Sequence, residues 1–255
     1  MDNIKKIILK IPFSVSVYFL LRKLYALPIY VVDIYKFKFH PKNDGRFKVS
    51  LSSLFPCLID KTATTHFEPH YTYHPAWAAR ILADKKPEKH IDIGSTLKFS
   101  SVISAFIPTE FYDYRPAELK LSNLVSKHGD LTNLSFDDNS VESLSCMHTI
   151  EHIGLGRYGD PIDPEGDRKA AFELSRSLAP AGTFIFVTPV GKPKLAFNAH
   201  RIYSYQQVLD LFPTLKLVEF SMVPDDYKKH GLIRNADPHD VERQNWACGC
   251  FVFTK

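Results

Sequence analysis

From Pro87 onward, short apolar runs alternate with stretches of helical period, a rhythm that restricts the chain to a mostly parallel sheet crossed by helices. Residues 90–93 read as a first strand, 111–113 as a second, 141–147 and 183–188 as later ones, and 215–220 and 246–253 as two closing strands. Phe99, Val102, Ile103 and Phe106 recur at the spacing of one helix face, and residues 170–178 predict a further helix. Ser204 followed by Gln207 is a capping box that starts a helix carrying Val208, Leu209 and Leu211. The predicted fold class is α/β, with no internal repeat.

The beginning of the chain has a different character. Residues 11–21 are apolar apart from two serines, Arg22 and Lys23 interrupt, and 24–32 are apolar again, so no run reaches the roughly 18 residues of a spanning helix. Lys5, Lys6, Lys10, Arg22 and Lys23 punctuate residues 4–32, which suits peripheral contact with an anionic membrane surface. A helical cap packed on the domain or on a second subunit suits the same pattern. Pro12 and Pro28 are read as helix starts or breaks. The aromatic stretch 35–47, interleaved with Lys36, Lys38 and Arg46, reads as an edge strand rather than a nucleic-acid surface. Residues 40–74 form a connecting region, and His74-Pro75 opens a helix over 77–82. The predicted organisation is an extension over 1–72 and an α/β domain over 73–255.

Charge and cysteine content narrow the partners. Lys and Arg number 32 against 28 Asp and Glu, a net charge of +4 that gives no support for a nucleic-acid partner. Cys57, Cys146, Cys248 and Cys250 lie in a chain large enough to fold without disulfides, with no cleavable secretory signal expected ahead of them, which points to the cytoplasm. Cys248 and Cys250, with His148 or His152, have the donor types of a metal site. Alternation within a strand puts both cysteines on one face anyway. They are therefore read as buried and inert, and no metal centre is assigned; an ion between His152, Asp160 and Asp163 is a weaker alternative.

The first strand ends in Asp92-Ile93-Gly94-Ser95, and Asp113 ends the second roughly 20 residues later, where an acid in such folds holds ribose hydroxyls. A nucleoside ligand follows from that spacing, although Asp-x-Gly also suits a strand that merely turns. The glycine pattern needed for a pyrophosphate is absent, which argues against a dinucleotide. No Gly-x-Ser-x-Gly elbow anchors a hydrolase triad. His148 and His152 follow strand 141–147 and share a face if that segment is helical. Histidine titrates near neutrality, so His152 is the candidate base and Glu151 the second; a structural Glu151–His152 pair tying a loop is the alternative. Loop 154–161 gathers three glycines with Arg157, Tyr158 and Asp160. It either binds an anionic acceptor or is an ordered connection held by an Arg157–Asp160 or Arg157–Asp163 bridge. His200 and Arg201 are further acceptor candidates unless their loop is simply solvated.

The series Ile91-Asp92-Ile93-Gly94, Asp113, Gly129-Asp130-Leu131 and Leu178-Ala179-Pro180-Ala181-Gly182 resembles the class I S-adenosylmethionine-dependent methyltransferases over residues 70–223. The run 148–164, with Asn198-Ala199-His200-Arg201, resembles an uncharacterised methyltransferase-like family associated with bacterial surface-polysaccharide gene clusters. That resemblance implies a Rossmann-like seven-strand sheet with its last strand antiparallel, preceded by the N-terminal helical extension. It places Asp92, Gly94 and Ser95 beside the methionine part of S-adenosyl-L-methionine, Asp113 on the ribose, and Asp130 and Leu131 at the adenine, with Arg115, Met147 and His148 also beside the cofactor. It also implies a saccharide acceptor, as a surface glycan or a nucleotide- or lipid-linked precursor, held by Arg157, Tyr158, Asp160, His200 and Arg201 at the inner face of a membrane. Thr96 and Lys98 replace the usual second and third glycines, and side chains there would crowd the cofactor. That departure motivates a competing reading, an inactive methyltransferase-fold scaffold in a membrane-associated glycan assembly complex. Ala181 likewise stands where glycine is usual.

Overall fold

The computed structural model describes residues 12–255 and divides into two compact units, one ending at His66 and the other spanning Phe67–Lys255. Lys5, Lys6 and Lys10 of the predicted membrane segment lie outside the described residues. In the first unit, helix α1 (Pro12–Lys38) runs through Pro28, which forfeits one backbone hydrogen bond without ending it. No strand forms over 35–47. Tyr35 to Lys38 complete the helix, and Tyr35 stacks on Phe39 with ring centroids 6.0 Å apart, so the aromatic spacing serves helical neighbours and not an edge strand. Leu20, Leu21, Leu24, Tyr25 and Tyr35 are exposed on α1. Among the described residues no helix is long and apolar enough to cross a membrane.

The second unit carries a seven-stranded sheet in the order β3-β2-β1-β4-β5-β9-β8. Its strands are β1 (His90–Ile93), β2 (Thr109–Asp113), β3 (Leu124–His128), β4 (Val141–Met147), β5 (Leu178–Val190), β8 (Lys216–Val223) and β9 (Ala247–Thr254), while β6 (Lys194–Ala196) and β7 (His200–Ile202) form a separate hairpin. Strands β1 to β5 pair in parallel, and β9 pairs antiparallel with both β5 and β8, as the motif order implied.

Both faces of the sheet are buried. Phe184 and Phe186 of β5 pack on one side with Ala170, Ala171 and Leu174 of α4 (Gly166–Ser177) and Val208 of α5 (Tyr205–Leu211). Ile185 and Val187 face the other side, with Trp77, Ala78 and Leu82 of α2 (His70–Lys85), Phe99 and Ile103 of α3 (Leu97–Ile103), and Cys248 and Cys250. Period-2 alternation thus accounts for the two cysteines sharing a face. Helix α2 starts at His70, ahead of Pro75, because Thr72 and Tyr73 N–H groups already bond the Pro69 carbonyl. Of the predicted α3 face only Phe99 and Ile103 are buried; Val102 is exposed within the helix, and Phe106 lies beyond its end at Ile103. The capping box at Ser204 and Gln207 forms in both directions, at 3.1 and 2.9 Å. Strand β5 starts before residue 183, and its pairing with β4 jumps from Val141–Leu178 to Ser143–Thr183. That irregularity holds Ala181 at φ +59°, a conformation that favours glycine.

Candidate functional site

A cavity of about 360 Å³ opens at the carboxyl ends of β1 to β4, where the strand order reverses between β1 and β4. Ligands of open α/β sheets bind at this point. One wall comes from the ends of the strands: Gly94, Asp113, Arg115, Asp130 and Leu131, all predicted, with Tyr112, Tyr114 and Thr132. Gly94 stands at φ +68°, and a Cβ there would lie 2.4 Å from the Thr149 methyl, so only glycine fits. Asp113 accepts the Arg115 N–H at 2.7 Å, and Asp130 accepts the Thr132 N–H at 2.8 Å and its hydroxyl at 2.7 Å. These short turns hold both carboxylates at the rim.

Three residues predicted for this wall lie beneath it. Asp92 is fully buried and accepts hydrogen bonds from Ser100 and, at 2.6 Å, from Ser145. Burial pushes its carboxyl up to about 6. Ser145 also meets His90 Nε2 at 2.9 Å, and Ser143 meets His90 Nδ1 at 2.8 Å. Burial lowers the His90 imidazole to about 3, so the histidine joins this polar chain uncharged. Ser95 turns inward to accept the Met147 N–H at 3.1 Å, and Met147 itself is buried. Thr96 caps α3 by accepting the Phe99 N–H at 3.3 Å, and neither it nor Lys98 lines the cavity, so the two missing glycines leave the wall uncrowded.

The opposite wall comes from the segment after β4: His148, Thr149, His152, Tyr158, Asp160 and Asp163. His148 and His152 do not share a helix face, because His148 adopts φ +55° and the chain then makes a single 3-10 turn over Ile150–His152. His152 Nδ1 donates to the Ala199 carbonyl at 2.6 Å, which fixes the tautomer and makes Nε2 the acceptor. Among the described residues Nε2 makes no hydrogen bond; Glu151 Oε1 is 3.9 Å away. Glu151 does not reach the cavity wall. It is buried and accepts from His148 Nδ1 at 2.9 Å, which corrects its reading as a second base: it positions His148.

Other predicted acceptor residues serve the loop itself. Asp160 accepts the N–H groups of Gly154, Tyr158 and Gly156 at 2.8, 3.2 and 3.3 Å, gathering the glycine turn around one carboxylate. A Cβ on Gly154 would lie 2.0 Å from the Asp163 carbonyl oxygen, so the turn closes only with glycine. The loop is therefore ordered, though by these bonds and an Asp163–Lys169 pair at 2.7 Å, and not by an Arg157 bridge. Arg201 donates to the Ile153 carbonyl at 2.7 Å and lies 3.4 Å from the Asp167 carboxylate, riveting the loop from behind and not lining the cavity. His200 stacks on Trp246, 5.8 Å between centroids, and also stands off the wall. Arg157 donates to the Ala199 carbonyl at 3.1 Å, and its guanidinium and that of Arg115 each lie 5.0 Å from the Tyr158 ring.

Sequence reasoning passed over the group behind His148. His70 stacks on the His148 ring at 5.5 Å, Tyr71 lies at 5.2 Å and His74 at 5.0 Å. The spacing of His70 and His74, four apart on one helix, was the available signal.

A family model described as "Caenorhabditis protein of unknown function, DUF268" matches residues 101–229, about half of the chain. No curated protein matches. Among solved structures, the chain is similar to the Burkholderia thailandensis 1,6-didemethyltoxoflavin-N1-methyltransferase, a structure with bound 1,6-didemethyltoxoflavin and S-adenosylhomocysteine. The TM-score is 0.52 at 12% identity, covering 76% of this chain and 93% of that one. A Galdieria sulphuraria protein described as a sarcosine dimethylglycine methyltransferase aligns with TM-score 0.51 at 14% identity over 71% of this chain and 84% of its own. A Bacillus halodurans protein described as a methyltransferase gives 0.50 at 14% identity over 71% and 98%. At these identities the likeness shows the fold: a Rossmann-like methyltransferase sheet.

Proposed function

The chain belongs to the DUF268 family; from its fold and its cavity we propose that it is an S-adenosyl-L-methionine-dependent methyltransferase acting on a hydroxyl of a saccharide acceptor. One observation carries the cofactor: Gly94, Asp113, Asp130 and Leu131 converge from three successive loops on one cavity at the sheet's switch point. Asp113 takes the ribose hydroxyls and Leu131 the adenine face, while Gly94 leaves room for the methionine end. The cofactor supplies an electrophilic methyl group. The protein then has to align an acceptor oxygen and take its proton.

His152 suits that task, because its Nδ1 proton is committed to the Ala199 carbonyl and its Nε2 lone pair is available at the cavity wall. The Arg115 and Arg157 guanidiniums, stacked near Tyr158 without a carboxylate partner among the described residues, favour an acceptor that carries a phosphate or carboxylate. A nucleotide- or lipid-linked sugar has that chemistry. The exposed apolar α1 would have a use with the lipid-linked form.

Isothermal titration with S-adenosylmethionine and S-adenosylhomocysteine tests the cofactor directly. Saturable binding to the full chain that is lost by at least tenfold in Asp113→Ala is the expected result. A well-folded protein that binds neither would leave the scaffold reading in its place.

A further inference from the structure

Beyond the methyl-transfer site, we infer that His70, His148 and Cys248 form a binding site for a divalent transition-metal ion of the zinc class. The three side chains come from helix α2, the end of β4 and strand β9, and all are buried. One donor atom from each lies within 4.8 Å of the other two, and among the described residues no other such trio of His, Cys, Asp or Glu occurs. Zinc bonds of about 2.0–2.1 Å to imidazole nitrogen and about 2.3 Å to thiolate sulfur give a tetrahedral N···S edge of about 3.6 Å. His148 Nε2 and Cys248 Sγ are 3.5 Å apart.

Two further observations point to an ion. His148 uses its other nitrogen, Nδ1, to donate to Glu151 at 2.9 Å, which is the carboxylate–histidine–metal arrangement that fixes a ligating imidazole. Glu151 is buried, its Oε2 has no partner, and no Lys or Arg pairs with it among the described residues. A doubly charged cation beside His148 balances that carboxylate and the Cys248 thiolate together, leaving the cluster neutral. Second, His74 is fully buried beside the His148 ring with both ring nitrogens unpartnered, a pair of buried polar atoms that the protein itself leaves unsatisfied. Two imidazoles and a thiolate select zinc-class ions over magnesium or calcium, which take oxygen ligands. On binding, the Cys248 thiol proton that faces His148 Nε2 leaves to solvent and the sulfur–metal bond forms; nothing is oxidised.

The test needs no substrate and no methyl donor. The full chain, purified without chelator, is assayed for bound zinc, then stripped and titrated with Co²⁺ while following the thiolate-to-cobalt charge-transfer absorption. One equivalent per chain with that absorption is expected, displaced by Zn²⁺ and not by Mg²⁺. Cys248→Ser should abolish the sulfur band and His70→Gln should weaken affinity at least 100-fold, with folding checked by circular dichroism. Glu151→Gln should weaken it 10–100-fold while keeping the band, and Cys57→Ser, an exposed thiol elsewhere, should change nothing. Wild-type protein that gives no sulfur band overturns the site without recourse to any variant, as does a band that survives in folded Cys248→Ser.

Discussion

On the strand side of the cavity, Asp113 and Asp130 spend one carboxylate oxygen each on a neighbouring turn and remain at the rim. On the loop side, Asp160 and Arg201 give nearly all their bonding capacity to backbone groups of the segment 151–164. The strand ends need little help, because the sheet fixes them and a two-residue turn finishes each. The segment after β4 has no ladder to join, so its carbonyls and amides must be satisfied by side chains before it can present anything to a ligand. Similar residue types therefore stay open to the cavity on one wall and hold the wall itself on the other.

The largest expected effect comes from the one loop residue that both walls leave free to react. His152→Gln should lower kcat by 10²–10⁴-fold while leaving S-adenosylhomocysteine affinity within threefold, read by steady-state kinetics and titration. An unchanged rate would remove His152 as base and make the loop wall wholly structural. Next comes the rivet. Arg201→Met strips the Ile153 carbonyl of its donor and Asp167 of its cation, costing about 2–4 kcal/mol in urea unfolding. If S-adenosylhomocysteine affinity collapses as well, the two walls are not the separable structures drawn above. Asp160→Ala should cost about 1–2 kcal/mol and raise the acceptor KM more than it lowers kcat, because three amides lose their common acceptor and the turn loosens without unfolding.

The same contrast explains what could be read from the sequence. The mostly parallel sheet with its antiparallel last strand, and the positions of Gly94, Asp113, Asp130 and Leu131 at one cavity, were legible because period, spacing and motif order are one-dimensional. Asp92, Ser95 and Met147 sit within two residues of true wall positions, yet alternation turns them inward, and a one-residue step along a strand end decides which face a side chain takes. Arg201 stands off the wall for a different reason. Its partners are backbone carbonyls about 50 residues away, and backbone carbonyls leave no trace in a sequence. The His70–His148–Cys248 cluster joins three distant elements: Cys248 and His148 have the donor types of a metal site in the sequence, but strand alternation accounts for the cysteines equally well, and His70 is hinted at only by its spacing from His74. Strand β3 lacked a long apolar run, with only Leu124 buried, and emerged from pairing with β2.

The smallest effect probes the floor beneath the strand wall, where Asp92 and His90 are linked through Ser145. His90 is lowered to about 3 from 6.5, so its contribution to stability is complete above pH 6.5 and is lost as the pH falls toward 3. Asp92 is raised to about 6 from 3.8, so its contribution is complete below pH 3.8 and is lost as the pH rises through 6. Between pH 6 and 4 the two slopes, each about 1.4 kcal/mol per pH unit, oppose each other and cancel. His90→Gln removes one of them. The variant should be less stable than the parent at pH 7.5, and its deficit should narrow on acidification below pH 6.5, approaching about 1.4 kcal/mol per pH unit by pH 5, measured as the difference between paired urea titrations. Because the comparison is between two chains at each pH, titrating groups outside this chain of hydrogen bonds drop out. A deficit that instead widens on acidification toward pH 6.5 would mean that His90 is protonated in the folded protein and that the strand wall rests on an ion pair, while a constant deficit would mean that burial leaves its titration unshifted; either result removes the neutral imidazole from the base of the strand wall.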